Sequence, residues 1–141
     1  MHFNTIKYIA LLLVLIFFIS LTGCKKSIQQ KIIGKWEMVS YDGSEPSFTY
    51  EFMDGDQLNR YWKYKLPNGD DTTILDTAFY YIEVKNFRKN IRITKAEAFL
   101  SVDINGLWWI DNLESSLMEL QRIETPDLEG GAYLRYEFIK K

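Results

Sequence analysis

Apolar side chains recur at every second position over short runs, and this period of two constrains the chain more than any other feature. From residue 58 to 66, Leu58, Trp62, Tyr64 and Leu66 share one parity with Arg60, while Asn59, Lys63 and Lys65 take the other. Successive side chains of an extended strand point to opposite faces, so such a run buries one face and wets the other. The same alternation holds for Trp36, Met38 and Ser40 against Lys35 and Glu37, and for Phe48, Tyr50 and Phe52 in residues 48–53. Residues 78–85 set Tyr80, Ile82 and Val84 against Tyr81, Glu83 and Lys85. Ile91 and Ile93 start a short strand, and Ala98, Leu100, Val102 and Ile104 alternate towards the next turn. Trp108 and Ile110, then Met118 and Leu120, then Leu134, Tyr136 and Phe138 complete the series. Asp54-Gly55, Pro67-Asn68-Gly69-Asp70 and Asn105-Gly106 are turn signals between runs. Residues 86–90 read as a polar link and 126–131 as a loop. Eight to nine short strands with tight turns predict an all-β antiparallel barrel or sandwich. Ahead of them, Ser27 and Gln30 fit a capping box, which predicts one or two helical turns over 28–33, ended by Gly34.

The start of the chain is of another kind. Residues 9–19 are almost all aliphatic or aromatic, Lys7 precedes them, and no acidic residue occurs before residue 24. A basic start, a short apolar stretch and small residues at its end form the secretory signal pattern. As a helix, residues 9–21 would span about 20 Å, short of the ~30 Å hydrocarbon core of a bilayer. Leu21-Thr22-Gly23-Cys24, at the end of this run, resembles the lipobox of bacterial lipoproteins. That resemblance implies diacylglycerol on the Cys24 sulfur, cleavage after Gly23, an acyl chain on the new amine, and no other cofactor. An uncleaved anchor helix with an incidental cysteine is the competing reading. Two or three acyl chains hold a protein on a membrane durably where one does not. Lys25 and Lys26 would lie against anionic headgroups or act as plain solubilising charges. The expected organisation is a signal peptide over 1–23, a lipidated tether over 24–31 and a barrel over 32–141. The expected address is the bacterial cell envelope, anchored in the outer membrane on its periplasmic side.

A helical turn followed by Gly34-Lys35-Trp36 opening the first strand is similar to the start of lipocalin-like barrels. Residues 109–113, 116–120 and 136–138 resemble the closing strands of small lipocalin-like lipoprotein domains. The resemblance implies an up-and-down β-barrel of about eight strands, often holding a small apolar ligand. It also implies Trp36 plugging the closed end under a basic side chain from a late strand, with Arg122 and Arg135 as candidates. The helix that follows the barrel in full-size lipocalins has no counterpart here.

Composition narrows the function. The only histidine is His2 and the only cysteine is Cys24. After cleavage at residue 23, Ser-His-Asp and Cys-His catalysis and histidine zinc sites are excluded. No glycine-rich phosphate loop occurs. Without Lys7, 16 basic side chains face 19 acidic ones, which is no nucleic-acid signature. The expectation is therefore a non-enzyme with no metal. Asp54/Asp56 and Asp70/Asp71 flank glycine turns, and turn chemistry explains them better than calcium binding.

Arg60 is the most informative polar residue, because its parity directs it inward among Leu58, Trp62 and Tyr64. A buried charge requires a partner. It pairs with an internal glutamate, escapes to the surface through a bulge, or binds a ligand. Tyr50, Trp62, Tyr64, Tyr80, Trp108 and Tyr136 are candidates to line a cavity, or to fill the core. The neighbours Trp108 and Trp109 must face opposite ways, so one of them faces out. Two functions follow: a membrane-tethered barrel that binds a small apolar or amphipathic molecule, or a solid module that docks an envelope protein.

Overall fold

The computed structural model describes residues 8, 25–39, 47–85, 87–97, 103–125 and 134–141. The alternating runs form β1 (Gly34–Met38), β2 (Ser47–Phe52), β3 (Gln57–Lys65), β4 (Asp71–Lys85), β5 (Arg88–Thr94), β6 (Gly106–Leu113), β7 (Leu117–Glu124) and β8 (Arg135–Lys140). Each strand pairs antiparallel with the next, and β8 returns to β1 with Trp36 opposite Lys140 and Met38 opposite Phe138. The result is a closed, eight-stranded up-and-down barrel, which decides between the barrel and the sandwich that the patterning left open and has the form that the lipocalin-like resemblance implies. Closure leaves no free sheet edge.

A helix, α1, occupies residues 25–32. It begins before Ser27, so Ser27 is not its N-cap. Ile28 and Ile32, one helical turn apart, are both buried in the core, and their docking on the barrel sets the helix extent. The Trp36 indole N–H donates to the Ile32 carbonyl at 2.7 Å, tying helix to β1. Lys140 Nζ lies 4.9 Å from the centre of the Trp36 ring and donates to the Lys31 carbonyl. The basic side chain over Trp36 is thus Lys140, not Arg122 or Arg135, because barrel closure makes Lys140 its register partner. Arg135 instead reaches Asp111 and Glu119 on the outer wall.

Strand direction alternates around the barrel, so its two ends differ. Helix α1 and the connections 53–56, 86–87 and 114–116 share one end, where Gln29 donates to Asp56 at 3.2 Å. The other end carries connections 66–70 and 95–105 and the strand exits at 39 and 125. No helix among the described residues is long and apolar enough to cross a membrane.

Three expectations change. β4 starts at Asp71, well before residue 78, and its first half pairs fully with β3. This half hides its alternation because Asp76 faces inward while Leu75 is 55% exposed. The polar link at 86–90 shrinks to two residues, since Lys85 already pairs with Arg88. Asn105-Gly106 is not a hairpin loop, since Gly106 opens β6 opposite Ile93. Asn105 instead braces the connection by bonding both the N–H and the carbonyl of Ala96 at 2.9 Å. The expected turns at 54–55 and 67–70 form, with Gly55 and Gly69 at positive φ. Cys24, the signal segment apart from Tyr8, Ser40, most of the run 98–104 and the loop 126–131 lie outside the described residues.

Candidate functional site

The interior is built in layers. Next to α1, Trp36, Phe52, Leu58, Ala78 and Tyr80 are fully buried, with Phe52 and Tyr80 edge to face at 5.0 Å. The Tyr80 hydroxyl donates to the Met53 carbonyl in the turn beside the helix. Tyr80 therefore belongs to the plugged end and stands apart from the other candidates.

At mid-height Tyr50, Arg60 and Asp76 lie side by side across β2, β3 and β4, all facing inward. Arg60 Nε donates to Asp76 Oδ2 at 2.8 Å, and its Nη2 donates to the same oxygen and to the Glu97 carbonyl. Asp76 Oδ1 accepts the Glu97 N–H at 3.3 Å. Both ions are almost wholly buried, at 1% and 4% exposure, so each depends on the other. The carboxylate expected for Arg60 is thus an aspartate from the half of β4 that lacks an apolar pattern. Burial pushes the Tyr50 hydroxyl up to about 12, against the pull of the Arg60 charge.

Towards the far end the rings become half-buried. Phe48 stacks on Trp62 at 6.2 Å and Trp62 on Tyr64 at 4.3 Å, forming one wall from β2 and β3. Trp108, buried, stacks on Tyr136 at 5.2 Å, forming a second wall from β6 and β8. Tyr136 in turn meets Phe138 edge on, and Phe138 lies 4.9 Å from Tyr50. Five of the six aromatic candidates therefore fall into two ring clusters, Trp62 and Tyr64 in one and Tyr50, Trp108 and Tyr136 in the other.

Arg122 completes the set. It pairs across β6–β7 with Trp108, and its guanidinium lies 5.6 Å from the centre of that ring. Nη1 donates to the Asp103 carbonyl, while Nε is buried and has no hydrogen-bond partner among the described residues. Burial raises the Tyr136 hydroxyl pKa, while the charges of Arg122 and then Arg60 pull it back. Arg60 and Asp76 cancel, and Arg122 forms no ion pair among the described residues. Among the described residues this part of the interior therefore holds one guanidinium, that of Arg122, that no carboxylate offsets.

Sequence reasoning missed Phe48 and Asp76 and assigned Arg122 elsewhere. The parity of Phe48 with Tyr50 was the available signal for the first. Trp109 is the outward member of its pair, half-buried under Arg88, whose guanidinium lies 5.1 Å from the ring centre. Two clefts of about 370 Å³ open on the outer wall, one along Arg92, Lys95, Asn105 and Glu124, the other along Lys35, Glu37, Tyr61 and Lys63. Neither includes a residue of the interior aromatic set. The chain matches no known family model, and comparison with curated proteins and with solved structures likewise gives no match.

Proposed function

We propose that this chain is a non-enzymatic, lipocalin-like lipoprotein. It is anchored through Cys24 to the bacterial outer membrane on the periplasmic side, and it binds a small amphipathic molecule in the barrel end remote from α1. The observation that carries the reading is the pair of inward aromatic walls, one of them under a guanidinium, Arg122, whose Nε has no acceptor among the described residues. Aromatic rings supply apolar area with polar tips, and a few convergent polar groups fix orientation, as small-molecule sites require. An acyl or aryl body would lie between Trp62 and Tyr136, with an anionic or strong acceptor group at Arg122. The anchor is supported by the lipobox at residues 21–24, and the lack of catalysis by the confinement of histidine and cysteine to residues 2 and 24.

Tryptophan emission titrated with a medium-chain fatty acid and with the alcohol of equal length tests the reading. The acid should quench and bind at least tenfold tighter, since a hydrogen bond to a charged group contributes about 1.5–3 kcal/mol. Arg122→Met should abolish that preference while leaving the alcohol unaffected. Absence of quenching by either compound, together with no ligand in native mass spectra, sinks the binder. Incorporation of labelled palmitate, lost in Cys24→Ser, tests the anchor separately.

A further inference from the structure

The β4–β5 hairpin presents a side chain that the fold does not use. Phe87 is 101% exposed, at the tip of a two-residue loop, and its backbone sits at φ +62. A bulky residue rarely takes that left-handed conformation, and glycine or asparagine would hold the turn without strain. The ring gains no packing among the described residues in return. Val84, on the same hairpin, is 43% exposed, and Met53, in the neighbouring turn, is 39% exposed.

The charges next to this tip are of one sign. Residues 84–90 contain Lys85, Arg88 and Lys89 and no acid, in a chain of net charge −2. Glu83 and Glu124 hold Arg92, but Lys85, Arg88 and Lys89 form no ion pair among the described residues. The same barrel end carries α1, whose Lys25, Lys26 and Lys31 are exposed and likewise form no ion pair among the described residues. The turns at this end add Asp54, Asp56 and Glu114, which bond to Gly55, Gln29 and Asn112.

We infer that the β4–β5 hairpin is a membrane contact specific for anionic lipid. Phe87 enters the interfacial layer and Lys85, Arg88 and Lys89 meet the headgroups. An exposed aromatic flanked by bases matches that layer in both polarity and charge. The helix end lies at the same pole, so its lysines face the same surface. The barrel then stands with its helix-capped end on the bilayer and its aromatic end pointing away. This orientation does not depend on lipidation of Cys24 or on ligand binding.

Hydrogen exchange on the full chain in vesicles tests it, using phosphatidylcholine alone or mixed with phosphatidylglycerol. The apolar run at residues 9–19 holds the chain on both vesicles, so the readout is orientation rather than attachment. Amides of residues 84–89 should be protected on the anionic vesicles and fast on the neutral ones, while residues 66–70, at the opposite end, stay fast on both. Each base lost should weaken protection by about fivefold. Lys85→Glu with Lys89→Glu, and separately Phe87→Asn, should abolish it, with exchange in β3 unchanged as proof of folding. Equal exchange of residues 84–89 on both vesicles, protection surviving either variant, or protection of residues 66–70 instead would overturn the inference.

Discussion

Within the barrel the polarity of single side chains is decided by pairing. Arg60 and Asp76 share a strand register and lie in an apolar interior, so neither ion tolerates loss of the other. Asp76→Ala should therefore cost about 3–5 kcal/mol, whereas Arg60→Met combined with Asp76→Leu should cost clearly less. Urea unfolding of the two single variants and the double variant measures the difference, and additive losses would contradict a coupled pair. Tyr50 gives the pair's environment a pH signature. The unfolded chain releases the Tyr50 proton near 10.0, while the folded chain retains it up to about 12. Stability is complete below the lower value and falls as pH rises through this window, by about 1.4 kcal/mol per pH unit for this hydroxyl. Tyr80, also raised to about 12 by burial, adds a similar fall. Tyr50→Phe should reduce the alkaline slope in denaturation curves taken between pH 10 and 12 by about 1.4 kcal/mol per pH unit, with Tyr80, Tyr136 and Tyr61 supplying the rest, and an unchanged slope would place the titration elsewhere.

At the level of strands, close approach counts as much as pattern. Gly106 has φ +129, and a Cβ there would stand 2.0 Å from the Glu124 carbonyl oxygen, beside the β6–β7 irregularity at Leu107 and Trp108. Gly106→Ala should cost about 3 kcal/mol or more, because both backbones must shift. Gly69→Ala, at φ +90 with nothing within 4 Å, should cost only about 1 kcal/mol. Thermal melts of the two variants compare them directly. The same glycine shows what a sequence can and cannot tell. Asn-Gly is a local hairpin signal, yet here the glycine answers to a neighbouring strand far along the chain. β1 and β2 were legible because their inward positions are apolar, and β3 because Leu58, Trp62 and Tyr64 keep the pattern around Arg60. The start of β4 was not, since its inward Asp76 is satisfied by Arg60 from another strand. Lys140 over Trp36, and Arg122 over Trp108, were invisible for the same reason: register across the barrel chooses the partner. Parity alone grouped Tyr50, Trp62, Tyr64, Trp108 and Tyr136 but passed over Phe48, and only contact geometry separates Tyr80 from the rest.

For the molecule as a whole, β8 joins what the chain order keeps apart. It pairs with β7 through five positions and with β1 through three, and it sets Lys140 on Trp36 and Phe138 beside Tyr50. Deleting residues 135–141 would remove Phe138 from the core, open β1 and β7 as edges, and expose the interior along the seam. An open edge beside exposed apolar surface is a template for pairing between chains. The shortened chain should lose its near-ultraviolet circular dichroism and sediment as aggregates rather than form a seven-stranded barrel. Lys140→Met tests the contact at Trp36 separately: losing one cation over a ring costs about 1–2 kcal/mol, and the variant should still unfold cooperatively. The contrast separates closure from a single contact. A truncated chain that stays monomeric and melts in one sharp transition would mean that β1 to β7 hold together without the seam, and that the closing strand is an accessory to the fold.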